Sequence, residues 1–147
     1  MPSNPAEPQP LPPADTQAER FARARKRDRA AVAEDYVELI ADLLDADGEA
    51  RAVDVAHRLG VTQATVAAAI GRLQRDGLVE TRPYRGLFLT DAGRAVARES
   101  KHRHGVVVRL LLALGLDRAT AEADAEGIEH HVSEATLRAF ERFLERA

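Results

Sequence analysis

The sequence predicts a mostly α fold in which two short helices and a small two-stranded β wing form one compact unit, followed by a further helical domain. Three observations predict it. Apolar residues recur at three- and four-residue spacing through most of the chain. Gly60 separates two short helical patterns, and only the stretch from Leu78 to Thr90 reads as paired strands around a Pro/Gly turn.

Six of the seven prolines fall before residue 17, with almost no large apolar side chains among them, so residues 1–17 are expected to form a disordered tail. A helix is expected over about Ala18–Leu44, with Val32, Tyr36, Leu39, Ile40, Leu43 and Leu44 as one apolar stripe and Gly48 just past its end. Next come a short helix over Ala52–Leu59, a turn at Gly60, and a second helix from Thr62, its N-cap, to about Asp76. Val55, Leu59, Val66, Ile70 and Leu73 are spaced to pack these two helices together. LVET and LFLT then read as strands around RPYRG. Thr90 caps a long helix to about Leu114, Asp117 caps one from Arg118 to His131, and a last helix covers Ser133–Arg146. Helix, turn, helix, hairpin is the order of a winged helix-turn-helix. The expected division is a tail at 1–17, a winged helix-turn-helix domain with a basic first helix at 18–90, and a helical domain at 91–147.

Composition narrows the chemistry. There is no Cys and the only Met is Met1, so any metal inside the fold is held by oxygen and nitrogen. The net charge of −3 hides an uneven distribution: residues 19–29 carry six basic and two acidic side chains, residues 117–147 eight acidic and four basic. One end suits phosphate and the other cations. No apolar run approaches the ~20 residues of a membrane span, and no signal-peptide pattern opens the chain, so a cytoplasmic location is expected.

In a helix-turn-helix the N-terminal residues of the second helix face base edges, which here are Thr62, Gln63, Ala64 and Thr65. Gln63 can pair in bidentate fashion with adenine, and Ala64 and Thr65 can meet thymine methyls. Arg82, Tyr84 and Arg85 at the wing tip are poor core residues but suit phosphate or the minor groove. Arg20, Arg23, Arg25, Lys26, Arg27 and Arg29 are expected either to add phosphate contacts or to form a solvated helical face.

Glu126, Glu129 and His130 stand at i, i+3 and i+4, one face of a helix within reach of a common cation. His104 lies on the preceding helix. Asp35 and Glu38 share a face of the first helix away from its apolar stripe, but so do Glu34, Asp42 and Asp45, and spacing alone leaves all five as an acidic solvated face. His131 is turned about 100° from His130 and falls outside the site, as do His57 and His102.

These segments together, DYVE at 35–38, VDVAHRLGVTQATV, YRGLFLTDAG, RHGVVVRLLLALGL and above all AEGIEHHVS, resemble the manganese-responsive branch of the diphtheria-toxin-repressor family of metalloregulators, in collinear order from Glu34 to Leu144. The resemblance implies that Asp35, Glu38, His104, Glu126, Glu129 and His130 ligate metal. It also implies a homodimer joined through the C-terminal helices, binding a palindromic double-stranded operator and repressing genes of manganese uptake or homeostasis when metal is bound. The long Pro- and Arg-rich N-terminus and the run Ala67–Ala69, where relatives often carry a Lys, depart from the family pattern. Iron-responsive relatives use Met and Cys ligands and usually append a small β domain, neither of which is expected here.

Four carboxylates and two imidazoles form a mostly hard donor set suited to Mn(II), although raw affinity favours later first-row metals. Four negative charges balance two divalent cations per subunit. Affinity is expected to fall below the reference histidine pKa of ~6.5, because imidazole must lose its proton to ligate. Di-iron enzymes of helical bundles use Glu-x-x-His on two helices, a pattern this chain lacks, so no catalysis is expected. The alternatives are a winged-helix regulator answering Fe(II) or a non-metal ligand.

Overall fold

A computed structural model describes residues 8–147. The first seven residues of the expected tail lie outside the described residues. Helix α1 spans Ala14–Asp47, beginning four residues earlier than the sequence predicts. Pro13 stands at its N-cap position and Asp15 in its first turn, so a backbone preset by proline and an acid near the positive helix end favour that start. Gly48 ends the helix in the left-handed region at φ 75°, its N–H bonded to the Leu44 carbonyl.

Helix α2 spans Ala52–Leu59 and α3 Gln63–Arg75, joined through Gly60 at φ 70°. Strands β1, Val79–Arg82, and β2, Gly86–Leu89, pair antiparallel with Val79 opposite Leu89 and Arg82 opposite Gly86. Helix α4 spans Asp91–Ala113 and α5 Arg118–Ile128. A single 3-10 turn, Glu129–His131, replaces the last turn expected of α5, and α6 runs over Glu134–Arg146 with Ser133 as its N-cap. Thr62, Thr90 and Asp117 each accept a backbone N–H as cap, as their positions before the helical patterns predict, and Ser133, expected as the first residue of the last helix, caps it in the same way.

Two apolar cores meet on α4. One gathers Tyr36, Val37, Ile40 and Leu43 of α1 with Val55, Val66, Ile70, Leu73, Val79, Leu87, Leu89 and Ala97. The other gathers Val107 and Val108 of α4 with Ala121 and Ala125 of α5. Val32, expected in the α1 stripe, is instead exposed, because the first core covers α1 only from about Ala33 onward.

Two glycines set the wing and its junction. A Cβ on Gly86 would stand 2.5 Å from the Ala50 carbonyl oxygen, where Leu87 N–H donates to that same oxygen at 2.8 Å. The wing is thereby pinned to the α1–α2 connection. A Cβ on Gly93 would meet the Leu78 carbonyl oxygen at 2.1 Å, so the first turn of α4 sits directly on the start of the hairpin.

Candidate metal centre and nucleic-acid interface

Helix α1, helix α4 and the 3-10 turn converge on Glu129 and His130. Both are buried, at 0% and 4% exposure, among few polar residues so placed. Two groups of donor atoms form there, each within 4.8 Å of one another: Asp35, Glu129 and His130, and His104, Glu126 and Glu129. Glu129 belongs to both. Its Oε2 accepts from His104 Nδ1 at 2.5 Å, and its Oε1 lies 3.5 Å from His130 Nε2. His104 Nδ1 is also 3.8 Å from Glu126 Oε1, and His130 Nε2 is 2.9 Å from Asp35 Oδ1.

Hydrogen bonds do not complete this site. Among the described residues, Glu129 Oε1 and His130 Nε2 are buried side-chain atoms without a hydrogen-bond partner; Nε2 is close to Asp35 but poorly aligned with it. A buried unpaired acceptor beside an unpaired ring nitrogen is costly unless a further group satisfies both. Oxygen and imidazole donors converging on one point suit a divalent cation, and no thiolate competes.

Glu38 stands apart from both groups of three. Its Oε2 accepts from Ser100 Oγ at 2.7 Å, and it shares a cleft with Asp35 and Glu126. Of the six residues expected to ligate metal, five therefore fall in these two groups, joined through Glu129, and Glu38 faces them from the next turn of α1.

The electrostatics are those of crowded acid and imidazole. Burial pushes the Glu129 carboxyl up to about 7, opposed by His104 and reinforced by Glu126 and Glu38. The close Asp35 carboxylate and the hydrogen bond to Glu34 push His130 up to about 10 against burial. Burial raises Glu126 as well, with Glu38 and Asp35 adding like-charge repulsion. Burial lowers His104, but its carboxylate partners Glu122 and Glu129 outweigh this and raise it.

Two residues missed by sequence reasoning surround this site. Glu34, expected on a solvated face, is buried at 7% exposure and accepts from His130 Nδ1 at 2.7 Å. Glu122 accepts from His104 Nε2 at 2.7 Å. Arg27, expected either to contact phosphate or to lie on a solvated face, is instead half-buried against the site: its Nε donates to the His130 carbonyl at 2.7 Å and a terminal nitrogen to Glu34 at 3.3 Å. His131 is exposed, 3.1 Å from Asp28, and takes no part in either group. His102 pairs with Glu141 at the surface.

In the reading unit, Thr62, Gln63, Ala64 and Thr65 are all exposed at the start of α3. Thr65 is partly engaged, its N–H bonded to Thr62 Oγ1 and the two hydroxyls 2.9 Å apart, which leaves Gln63 and Ala64 as the freer pair. Arg82, Tyr84 and Arg85 are exposed on the wing. Arg82 stacks over Phe88, 4.3 Å from the ring centroid, so its guanidinium is held rather than loose. Tyr84 is 98% exposed and carries φ 63°, a left-handed conformation costly for a bulky residue. Arg20, Arg23, Arg25, Lys26 and Arg29 line the exposed half of α1.

Two family models divide the chain at the start of α4. The iron dependent repressor N-terminal DNA binding domain matches residues 29–87, and the iron dependent repressor metal binding and dimerisation domain matches residues 90–147. The transcriptional regulator MntR of Escherichia coli O157:H7 is 51% identical over 128 residues, covering 87% of this chain and 83% of that protein. This chain belongs to the iron-dependent repressor family, in its MntR branch. The MntR of Salmonella typhimurium strain LT2 is 48% identical over the same share of the chain and 82% of its own length. Among solved structures, the manganese regulator SloR matches with TM-score 0.70 at 25% identity, covering 78% of this chain. A manganese-dependent transcriptional repressor in complex with manganese matches with TM-score 0.71 at 28% identity over 77% of it. The chain spans about half the length of those two, 54% and 52%. As a member of the MntR branch it is a metal-dependent transcriptional regulator and not an enzyme, with a DNA-binding half and a metal-binding, dimerising half. No helix among the described residues is long and apolar enough to cross a membrane.

Proposed function

We propose that this protein is a cytoplasmic, Mn(II)-responsive repressor of manganese uptake and homeostasis genes, acting as a homodimer on a palindromic operator. The observation that carries the metal reading is Glu129, buried and shared between two donor groups, with its Oε1 and His130 Nε2 lacking partners. Asp35, Glu129 and His130 would hold one cation, and His104, Glu126 and Glu129 a second, with Glu38 on the neighbouring turn of α1 as the sixth ligand. Bound divalent cations would supply positive charge where four carboxylates otherwise repel one another.

The chain's own residues couple the halves. Asp35 and Glu38 lie on α1, which carries the core of the reading unit; His104 lies on α4, and Glu126, Glu129 and His130 follow on the dimerising half. Charge balance across this junction fixes how α1 sits on α4, and with it the placement of α3 and the wing. Gln63 and Ala64, with Thr62 and Thr65, face base edges, and Arg82, Tyr84 and Arg85 grip the backbone or the minor groove. The exposed basic residues of α1 add phosphate contacts.

A response to Fe(II) is the second reading, favoured by the family models' description as iron dependent repressors. Operator binding titrated in EDTA, Mn(II), Fe(II) and Zn(II) tests both. Binding that needs Mn(II), with Zn(II) bound but poorly activating, supports the proposal. Activation by Fe(II) alone supports the second reading, and binding indifferent to EDTA contradicts both.

A further inference from the structure

The geometry points to Glu34 as a positioning residue that fixes the ring of His130 with Nε2 aimed at the cation, and to Arg27 as its anchor on the N-terminal half of α1. The inference rests on the metal reading above and deepens it. Glu34 and Asp35 are neighbours on α1, yet they approach His130 from opposite edges. Glu34 Oε2 accepts from Nδ1 at 2.7 Å, while Asp35 Oδ1 lies 2.9 Å from Nε2. Asp35 forms no hydrogen bond with Nε2 and is left for a cation, whereas Glu34 is held on Nδ1 by Arg27 and Arg103, so Nδ1 keeps the proton and the lone pair falls to Nε2 once the ring is neutral.

Glu34 itself is no ligand, because its oxygens are already occupied. Oε1 accepts from Arg27 at 3.3 Å, and Oε2 accepts from His130 and is paired with Arg103 at 2.8 Å. Held between two guanidinium groups and the ring of His130, Glu34 is fixed in place as the kind of outer partner that orients a ligating imidazole. Arg27 stands seven residues before Glu34, two turns back on the same face of α1. Its Nε donates to the His130 carbonyl at 2.7 Å, so one side chain fixes the backbone of residue 130 and the carboxylate that orients its ring. The basic helix of the N-terminus is thereby tied to the metal centre.

The test follows Mn(II) uptake by electron paramagnetic resonance in the full chain, wild type against Glu34→Gln and Arg27→Gln. Imidazole 15N spectra of the Cd(II)-loaded protein report which nitrogen of His130 is bound. Glu34→Gln should weaken one Mn(II) per subunit by about 10- to 100-fold, the usual effect of losing such a partner, and leave the second near its wild-type affinity. Arg27→Gln should weaken the same cation less. The wild-type spectra should show Nε2 bound and Nδ1 protonated. Unchanged uptake by Glu34→Gln, a His130 bound through Nδ1, or loss of both cations together with helix content would overturn the positioning role. A wild type that binds no Mn(II) would instead overturn the metal reading beneath it.

Discussion

His130 and His131 are adjacent in sequence and opposite in environment. His130 is buried between Glu34 and Asp35, whereas His131 is exposed beside Asp28. His130→Ala should abolish metal-dependent operator binding and His131→Ala should weaken it only modestly, as a gel-shift titration would show; the reverse would place the site on the wrong ring. Protonation gives a second prediction at this scale. From composition alone, affinity falls below a pKa of ~6.5, but the surrounding carboxylates push His130 up to about 10 and burial pushes Glu129 up to about 7. Metal uptake must displace those protons, so affinity should still be rising between pH 7 and 9, and calorimetry in buffers of different ionisation enthalpy should show proton release. Without metal the sign reverses. The raised His130 stabilises the fold fully below ~6.5 and loses that contribution as pH climbs toward 10, and ionising Glu129 above its unfolded value removes more. The melting temperature of the metal-free protein should fall from pH 6.5 to 9. A flat profile would mean that these groups are not perturbed as their surroundings require. Glu34 shows why part of the site escaped sequence reading. Hydrophobic periodicity reports which face of a helix is apolar, and a buried carboxylate satisfied by Arg27, Arg103 and His130 leaves no mark on that pattern.

The elements were legible where local chemistry decides them. Thr62, Thr90, Asp117 and Ser133 mark helix starts through a side-chain oxygen three residues before the donor it caps, and Gly48 and Gly60 mark stops through their left-handed backbone. What tertiary packing decides was less legible. The final turn of α5 tightens to 3-10 form at Glu129–His131, where both its buried side chains engage α1 and α4. Helix α1 likewise runs from Ala14, its first half covered by no core. That exposed half makes a prediction. Replacing Arg20, Arg23 and Arg25 by Gln leaves Arg27 on Glu34, and should reduce the slope of log K against log salt by up to about 0.9 for each phosphate no longer neutralised. An unchanged slope would assign the run to solvent. The wing makes another. Tyr84 holds a left-handed φ of 63° at almost full exposure, so Tyr84→Gly should stabilise the free protein by about 1 kcal/mol while weakening operator binding. Thermal melts and a binding titration on the same variant separate the two effects.

The whole molecule is two cores sharing α4, with the candidate metal centre where α1 meets α4 and the 3-10 turn. That placement makes the centre a junction: Asp35 and Glu38 come from the reading unit, and Glu126, Glu129 and His130 come from the dimerising half. If Asp35, Glu38, Glu126 and Glu129 ligate as proposed, they carry four negative charges when ionised, so one divalent cation would leave a residual charge of about −2 in a half-desolvated site, and two would leave it neutral. On the proposed reading, repulsion among the unmetallated carboxylates would loosen α1 on α4, and the heads would then lose freedom on binding DNA. Coupling of this kind is reciprocal: operator DNA must tighten metal binding by the factor by which metal tightens DNA binding. Mn(II) titrated into the dimer with and without operator DNA measures both parts at once. Two Mn(II) per subunit and a higher affinity in the presence of operator are the expected result; a firm stoichiometry of one, with the same affinity in both conditions, would contradict it.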